Sequence, residues 1–156
     1  MLTKTATSRA THQRGFSLVE VLVALIVISV GMLGIASLYV QSMQAGRTSL
    51  FRHNAVTLAG DVADRIRANP AAGVAYEGGG ADNGCIGGGV TCNALQMAAQ
   101  DILLWQQQAA DSLPAGANVA IAFNNAVAPP TYQIVITWPE PEGQQTYQIT
   151  IPVLGI

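Results

Sequence analysis

The sequence predicts an α+β protein: a long N-terminal α-helix, transmembrane first and amphipathic after, with a small antiparallel β-sheet head and a second helix. Three observations carry that prediction. Residues Val21 to Val40 hold no charge, and the run is long enough for a bilayer core, which takes about 20 residues of helix. No proline occurs between Phe16 and Ala68, after which Asn69-Pro70 supplies a stop. Beyond Pro114, three stretches alternate apolar and polar residues with the period of half-buried strands.

A chain of 156 residues suits one domain, or one small domain plus a membrane segment. Only 10% of residues are charged against 50% hydrophobic, and the apolar surplus sits mostly between Phe16 and Val40. Lys4, Arg9 and Arg14 are the only charges in the first fifteen residues. After them no lysine occurs, and four arginines face nine acidic residues. That balance leaves no basic footprint for nucleic acid.

Met1 to Gly15 is polar and basic. A conventional secretory signal places its apolar region ahead of the cleavage site. Here the order is reversed: the cleavage point Gly15–Phe16 precedes the run, which therefore survives processing. The three basic residues hold that end in the cytoplasm by the positive-inside rule, although Arg47 and Arg52 weaken the asymmetry, and the chain beyond the run is expected in the periplasm. Glu20, just inside the apolar stretch, is the anomaly, because a carboxylate in a membrane segment costs about 2.5–3.5 kcal/mol on insertion scales. Cleavage after Gly15 changes its surroundings: the new amine of Phe16 then lies one helical turn away, at i,i+4.

Gly15-Phe16-Ser17-Leu18-Val19-Glu20, followed by an uninterrupted apolar run, resembles the class III leader junction of type IV pilins and the related secretion pseudopilins. The resemblance implies cleavage after Gly15 by a prepilin peptidase and N-methylation of Phe16. It also implies that Glu20 serves methylation and assembly by pairing with the terminus of an adjacent subunit. The expected organisation is a cleaved leader (1–15), a transmembrane and filament-core helix (16–46), the amphipathic half of the same helix (47–69), and a periplasmic α+β head with a disulfide loop (70–156).

A continuous helix from Phe16 to Ala68 would be roughly 80 Å long at 1.5 Å per residue, so only its first part fits a bilayer core. The second part should be amphipathic. Phe51, Ala55, Leu58, Val62 and Ile66 recur on one helical face. Arg52, Asp61, Asp64, Arg65 and Arg67 fall outside that row and are expected on a solvated face, with Asp61 and Arg65 paired at i,i+4. Gly31 and Gly34, with Ala36 and Ser37, suit close approach of neighbouring helices or mark a soft point. The chain lacks the helix-bending proline that many pilins carry in this half.

The stretch from Gly73 to Gly89 is glycine-rich and reads as an irregular surface loop. Cys85 and Cys92 lie within or beside it. A disulfide closing a short loop fits an exported domain, and two buried free thiols fit a cytosolic one. Glu77, Asp82 and Asn83 lack the spacing of a calcium loop and read as solvated polarity. Asn93 is an N-cap, and Gln96 completes a capping-box pattern. Leu95, Ala98, Ile102, Trp105 and Ala109 share one face of the second helix, with Gln100, Gln107 and Asp111 elsewhere, and Leu113-Pro114-Ala115-Gly116 ends it. Three alternating runs come next: Val119, Ile121, Phe123; then Tyr132, Ile134, Ile136, Trp138; then Tyr147, Ile149, Ile151, Val153. They read as a meander with one buried face, with Pro152 marking an edge or an end. Glu140 and Glu142 read as solvated turn charges.

The helix end Ala63-Asp64-Arg65-Ile66-Arg67-Ala68-Asn69-Pro70, the tryptophan-bearing second helix and the strand Ile134-Val135-Ile136-Thr137-Trp138 resemble the PilV-type minor pilins. That resemblance implies a low-abundance structural subunit that starts or caps a type IV pilus, with twitching motility and adhesion downstream. The implied partners are the prepilin peptidase, other minor pilins, the major pilin, the inner-membrane assembly platform and the membrane itself. The implied location is the inner membrane as a single-pass protein, then the pilus at the cell surface. Two other functions fit the same residues: a minor pseudopilin of type II secretion, and a membrane-anchored adhesin or binding head. No phosphate loop, nucleophile pattern or catalytic histidine pairing is present, so the sequence points to no enzyme, cofactor, metal or small-molecule substrate.

Overall fold

The structure is a computed structural model and describes residues 15–87 and 89–153. Lys4, Arg9 and Arg14, which carry the N-terminal charge asymmetry, lie outside those residues. The chain divides into two units, Met1–Met43 and Gln44–Ile156. Helix α1, Leu18–Ala68, belongs in part to each.

In the first unit α1 begins two residues later than the apolar pattern alone implies, because Ser17 caps it. The Ser17 hydroxyl accepts the Val19 N–H at 3.3 Å, and its carbonyl accepts the Glu20 and Val21 N–H groups at 3.0 and 3.2 Å. From there the helix is apolar on every side, and all its large hydrophobic residues up to Met43 are exposed. Among the described residues it is the one helix long and apolar enough to cross a membrane.

The second unit holds one hydrophobic core. Ala55, Leu58, Ala59, Val62, Ala63 and Ile66 of α1 are buried in it, which is the expected row from Ala55 on plus its alanine neighbours, while Phe51 at the head of that row is only half-buried against the core. Asn69 stops the helix, and a 3-10 segment, Pro70–Glu77, comes next, broken at Gly73 (φ 52°, ψ −128°). This corrects the expectation of an irregular surface loop over its first five residues, Gly73–Glu77, where Tyr76 is a core residue; from Gly78 to Gly87 the chain is irregular and mostly exposed, as expected. Gly73 supplies the positive φ that lets the chain double back, which sequence polarity does not register. Helix α2, Ala94–Ser112, starts at the Asn93–Gln96 capping box, with both reciprocal hydrogen bonds present at 2.9 and 3.0 Å. Ala98, Ile102, Trp105 and Ala109 are buried as expected. Leu95 is exposed, since it falls in the first turn, ahead of the packed part of the row. Gln100 is buried rather than turned outward.

Strands β1 (Asn118–Asn124), β2 (Thr131–Glu140) and β3 (Gly143–Pro152) form an antiparallel meander in the order β1-β2-β3. The inner face stacks Phe123, Tyr132 and Ile151 in one row and Ile121, Ile134 and Ile149 in the next. The outer face carries Asn118, Ala120, Gln133, Thr146, Gln148 and Thr150, all exposed and uncharged. β2 runs through Pro139 and Glu140 into a two-residue turn, Pro141-Glu142, with Gly143 at φ 124°. Pro139 costs the sheet nothing, because β1 has already ended opposite Thr137 on that side. Pro152 sits on the edge strand with its ring nitrogen facing away from β2, as alternation requires.

Candidate functional site

The residues singled out in the sequence fall in two places, one in each unit. In the first, Gly15 and Phe16 precede the helix in non-helical, exposed backbone, and Phe16 is 83% exposed. Nothing crowds Gly15: a Cβ there would meet no atom within 4 Å. Glu20 is the acidic residue of the first turn of α1 and is exposed. A carboxylate there also complements the helix dipole. Chemically this is an accessible peptide bond ahead of a helix whose first part, Val21 to Val40, carries no charge, with the Glu20 carboxylate just before it.

In the second unit Cys85 and Cys92 are joined in a disulfide, with a Cα–Cα distance of 5.7 Å. The loop ahead of it is stitched to α2. Ala81 N–H donates to the Ala99 carbonyl at 2.9 Å, Asn83 N–H to Gln100 Oε1 at 2.7 Å, and Asn83 Nδ2 to the Gln96 carbonyl at 3.0 Å. Gly80 permits this approach: a Cβ on it would lie 2.6 Å from the Leu103 nitrogen. Asn83 therefore organises the loop against α2, and Gln100 is buried because it holds the Asn83 amide.

The charges of the amphipathic half are not simply solvated. Asp101, 4% exposed, accepts Arg65 Nη1 at 3.0 Å and the Tyr76 hydroxyl at 3.2 Å. Arg65 also pairs with Asp61 at 3.2 Å, and Asp61 Oδ2 accepts Trp105 Nε1 at 3.1 Å. This network clamps α1, the 3-10 segment and α2 over the stacked rings of Tyr76 and Trp105, whose centroids are 5.7 Å apart. Burial works against the Arg65 charge, but its bond to Asp101 and the charge of Asp61 outweigh it, so its pKa is raised. Burial pushes the Tyr76 phenol well above its ordinary value, with the Asp101 charge adding to the shift, and burial likewise raises Tyr132. Spacing held the signal for Asp101: it lies three residues after Ala98 and four before Trp105, on the buried row.

Two further acids depart from the solvated reading. Glu77 accepts the Phe123 N–H at 2.7 Å, holding the 3-10 segment to β1. Glu140 accepts Thr48 Oγ1 and Trp138 Nε1, each at 2.7 Å, tying the hairpin to α1. Asp82 stays local, accepting the Gly84 N–H at 3.1 Å. Among the described residues no three His, Cys, Asp or Glu side chains converge to hold a metal ion.

Residues 10–36 match the prokaryotic N-terminal methylation motif, and residues 37–103 match the family of the type IV pilin Tt1218. No curated protein and no solved structure matches the chain. The first match covers the Gly15–Phe16 junction and the start of the exposed apolar helix, and the second runs from that helix through the disulfide loop into α2. The two matches run together from residue 10 to residue 103, through the junction, the apolar helix and the disulfide loop into α2, and on them this chain is a type IV pilin-like protein, a structural subunit of the pilin type with an N-terminal methylation motif.

Proposed function

We propose that this chain is a minor pilin of a type IV pilus, made as a membrane-anchored precursor and inserted with other minor pilins to start or cap the filament. The observation that carries this reading is the contrast along α1: the large hydrophobic residues of its first part are exposed on every side, and its later part buries one face, Ala55 to Ile66, in the head core. A surface of that kind needs lipid first and neighbouring helices afterwards. The residues resembling PilV-type minor pilins, at the end of α1, in α2 and in β2, support the minor over the major subunit. The proposed division is leader 1–15, core helix 16–46, amphipathic helix 47–69 and head 70–156, with the N-terminus cytoplasmic and the head periplasmic. The disulfide supports an oxidising compartment for the head.

In this mechanism prepilin peptidase cuts Gly15–Phe16, and Phe16 is methylated. Glu20 then acts as a registry device: unpaired in a low-dielectric core it is penalised, and docking against the cationic terminus of a neighbour relieves the penalty. Gly15→Val should leave full-length precursor on an immunoblot. Glu20→Ala should insert and be cleaved normally but fail to enter sheared filaments. Normal processing of the first, or wild-type incorporation of the second, removes the basis of the proposal. Deleting the gene should abolish twitching motility and spare exoenzyme secretion; the reverse outcome assigns the subunit to a type II secretion pseudopilus.

A further inference from the structure

β1 bonds to β2 through Asn118, Ala120, Ala122 and Asn124, because the Phe123 amide points the other way, to Glu77. By strand alternation the amides and carbonyls of Val119 and Ile121 share that outward direction. Among the described residues none of these four groups has a protein partner. Beside them opens a cavity of about 220 Å³, walled by Ile121, by Glu77 and Gly78, and by Trp105 and Gln106 of α2. Unpaired strand edges are templates for another strand, and here one borders a pocket.

We propose that this edge docks an extended peptide segment of a different protein, one that carries a basic side chain. The segment pairs with Val119 and Ile121 and adds a short fourth strand to the sheet. Glu77 closes the edge at Phe123, so the pairing is confined to the Val119–Ile121 end. A residue placed opposite Ile121 projects its side chain to the α2 side, because neighbours across a ladder share a face. That direction leads into the cavity, which has room for one long side chain and whose one charged wall is Glu77. One Glu77 oxygen holds the Phe123 amide, and the carboxylate has no cationic partner among the described residues. The charge therefore selects a lysine or arginine. On the proposed cleavage after Gly15 a second copy of this chain does not supply it: its cationic side chains are then Arg47, Arg52, Arg65 and Arg67, all within α1 and none in an extended segment.

The test uses the full chain in detergent micelles and the peptide acetyl-Thr-Val-Lys-Val-Thr-amide at up to millimolar concentration. Amide hydrogen exchange by NMR should slow about tenfold at Val119 and Ile121 and stay unchanged at Ala120 and Ala122. Glu77→Gln, which keeps an acceptor for Phe123, should weaken binding of the lysine peptide about threefold. It should also erase the preference over the same peptide with glutamate in place of lysine. Val119→Pro removes an outward amide without touching the β2 ladder. It should abolish protection at Ile121 while Ala120 and Ala122 report an intact sheet. The proposal is overturned by unslowed exchange at Val119 and Ile121. Equal binding of lysine and glutamate peptides, or of a peptide whose alternate amides are N-methylated, overturns it as well.

Discussion

Replacing Asp101 with alanine tests how the head is held together. Asp101 is 4% exposed and accepts one bond from Arg65 and one from Tyr76. The two halves are unequal. The Arg65 side chain is 43% exposed and keeps Asp61, so losing its bond to Asp101 costs at most about 1 kcal/mol. The Tyr76 hydroxyl is left buried with a donor and no acceptor, which costs about 1–3 kcal/mol. The sum is about 1–4 kcal/mol, with about 2–3 kcal/mol at its centre. A domain of this size shifts its Tm by roughly 4–8 °C per kcal/mol, so the expected fall is roughly 10 °C or more. Thermal unfolding of the full chain in micelles, followed by near-ultraviolet circular dichroism, reads it directly, with exposed Asp64→Ala as the control. Adding Tyr76→Phe should restore most of the loss, because removing both partners of a buried bond is nearly neutral. A fall no larger than that of Asp64→Ala, or no recovery in the double variant, refutes the clamp.

Three other perturbations of the head have defined outcomes. Tyr76 and Tyr132 have raised folded-state values, so their contribution is fully present below the unfolded tyrosine value of about 10 and is lost as pH rises above it. Stability measured by denaturant titration should therefore drop in the alkaline range, and Tyr132→Phe should flatten that drop. Gly80→Ala drives a Cβ into the backbone of Leu103 and should destabilise by about 1–3 kcal/mol, whereas Gly79→Ala, with open space, should not. The paired change of Cys85 and Cys92 to serine opens a loop of sequence separation 7 and should cost about 2.5 kcal/mol by loop entropy, read as a lower denaturant midpoint. An unchanged midpoint shows that the stitches from Asn83 to α2 already hold the loop.

Features that depend on near neighbours were legible in the sequence. The end of α1 at Asn69-Pro70, the Asn93–Gln96 capping box and the alternation of Tyr132, Ile134, Ile136 and Trp138 are all set within a few residues. So was the contrast between the uncharged run and the Ala55–Ile66 face. The role of a polar side chain was not legible where its partner comes from elsewhere in the chain. Gln100 is buried for the Asn83 amide, Glu77 turns to Phe123, and Glu140 to Thr48, across separations that no local pattern encodes. The turn of the chain at Gly73 hid in the same way, since a glycine-rich composition reads as looseness whether or not its φ angles are fixed by packing. The Gly15–Glu20 junction is the opposite case, because the chemistry proposed for it lies in six consecutive residues.

The outer face of the sheet has a consequence for how the head meets its surroundings. Between Thr131 and Pro152 the carboxylates Glu140 and Glu142 stand at one turn, and the strands outside it present amides, hydroxyls and small apolar groups. Such a surface has no exposed charge for dissolved ions to shield and none that titrates as acidity changes. Whatever touches that face does so through hydrogen bonds and shape, at low salt and high salt alike, while the salt response of the head is left to charges elsewhere on it: the arginines of α1 and carboxylates such as Glu77, Asp82, Asp111 and Glu142.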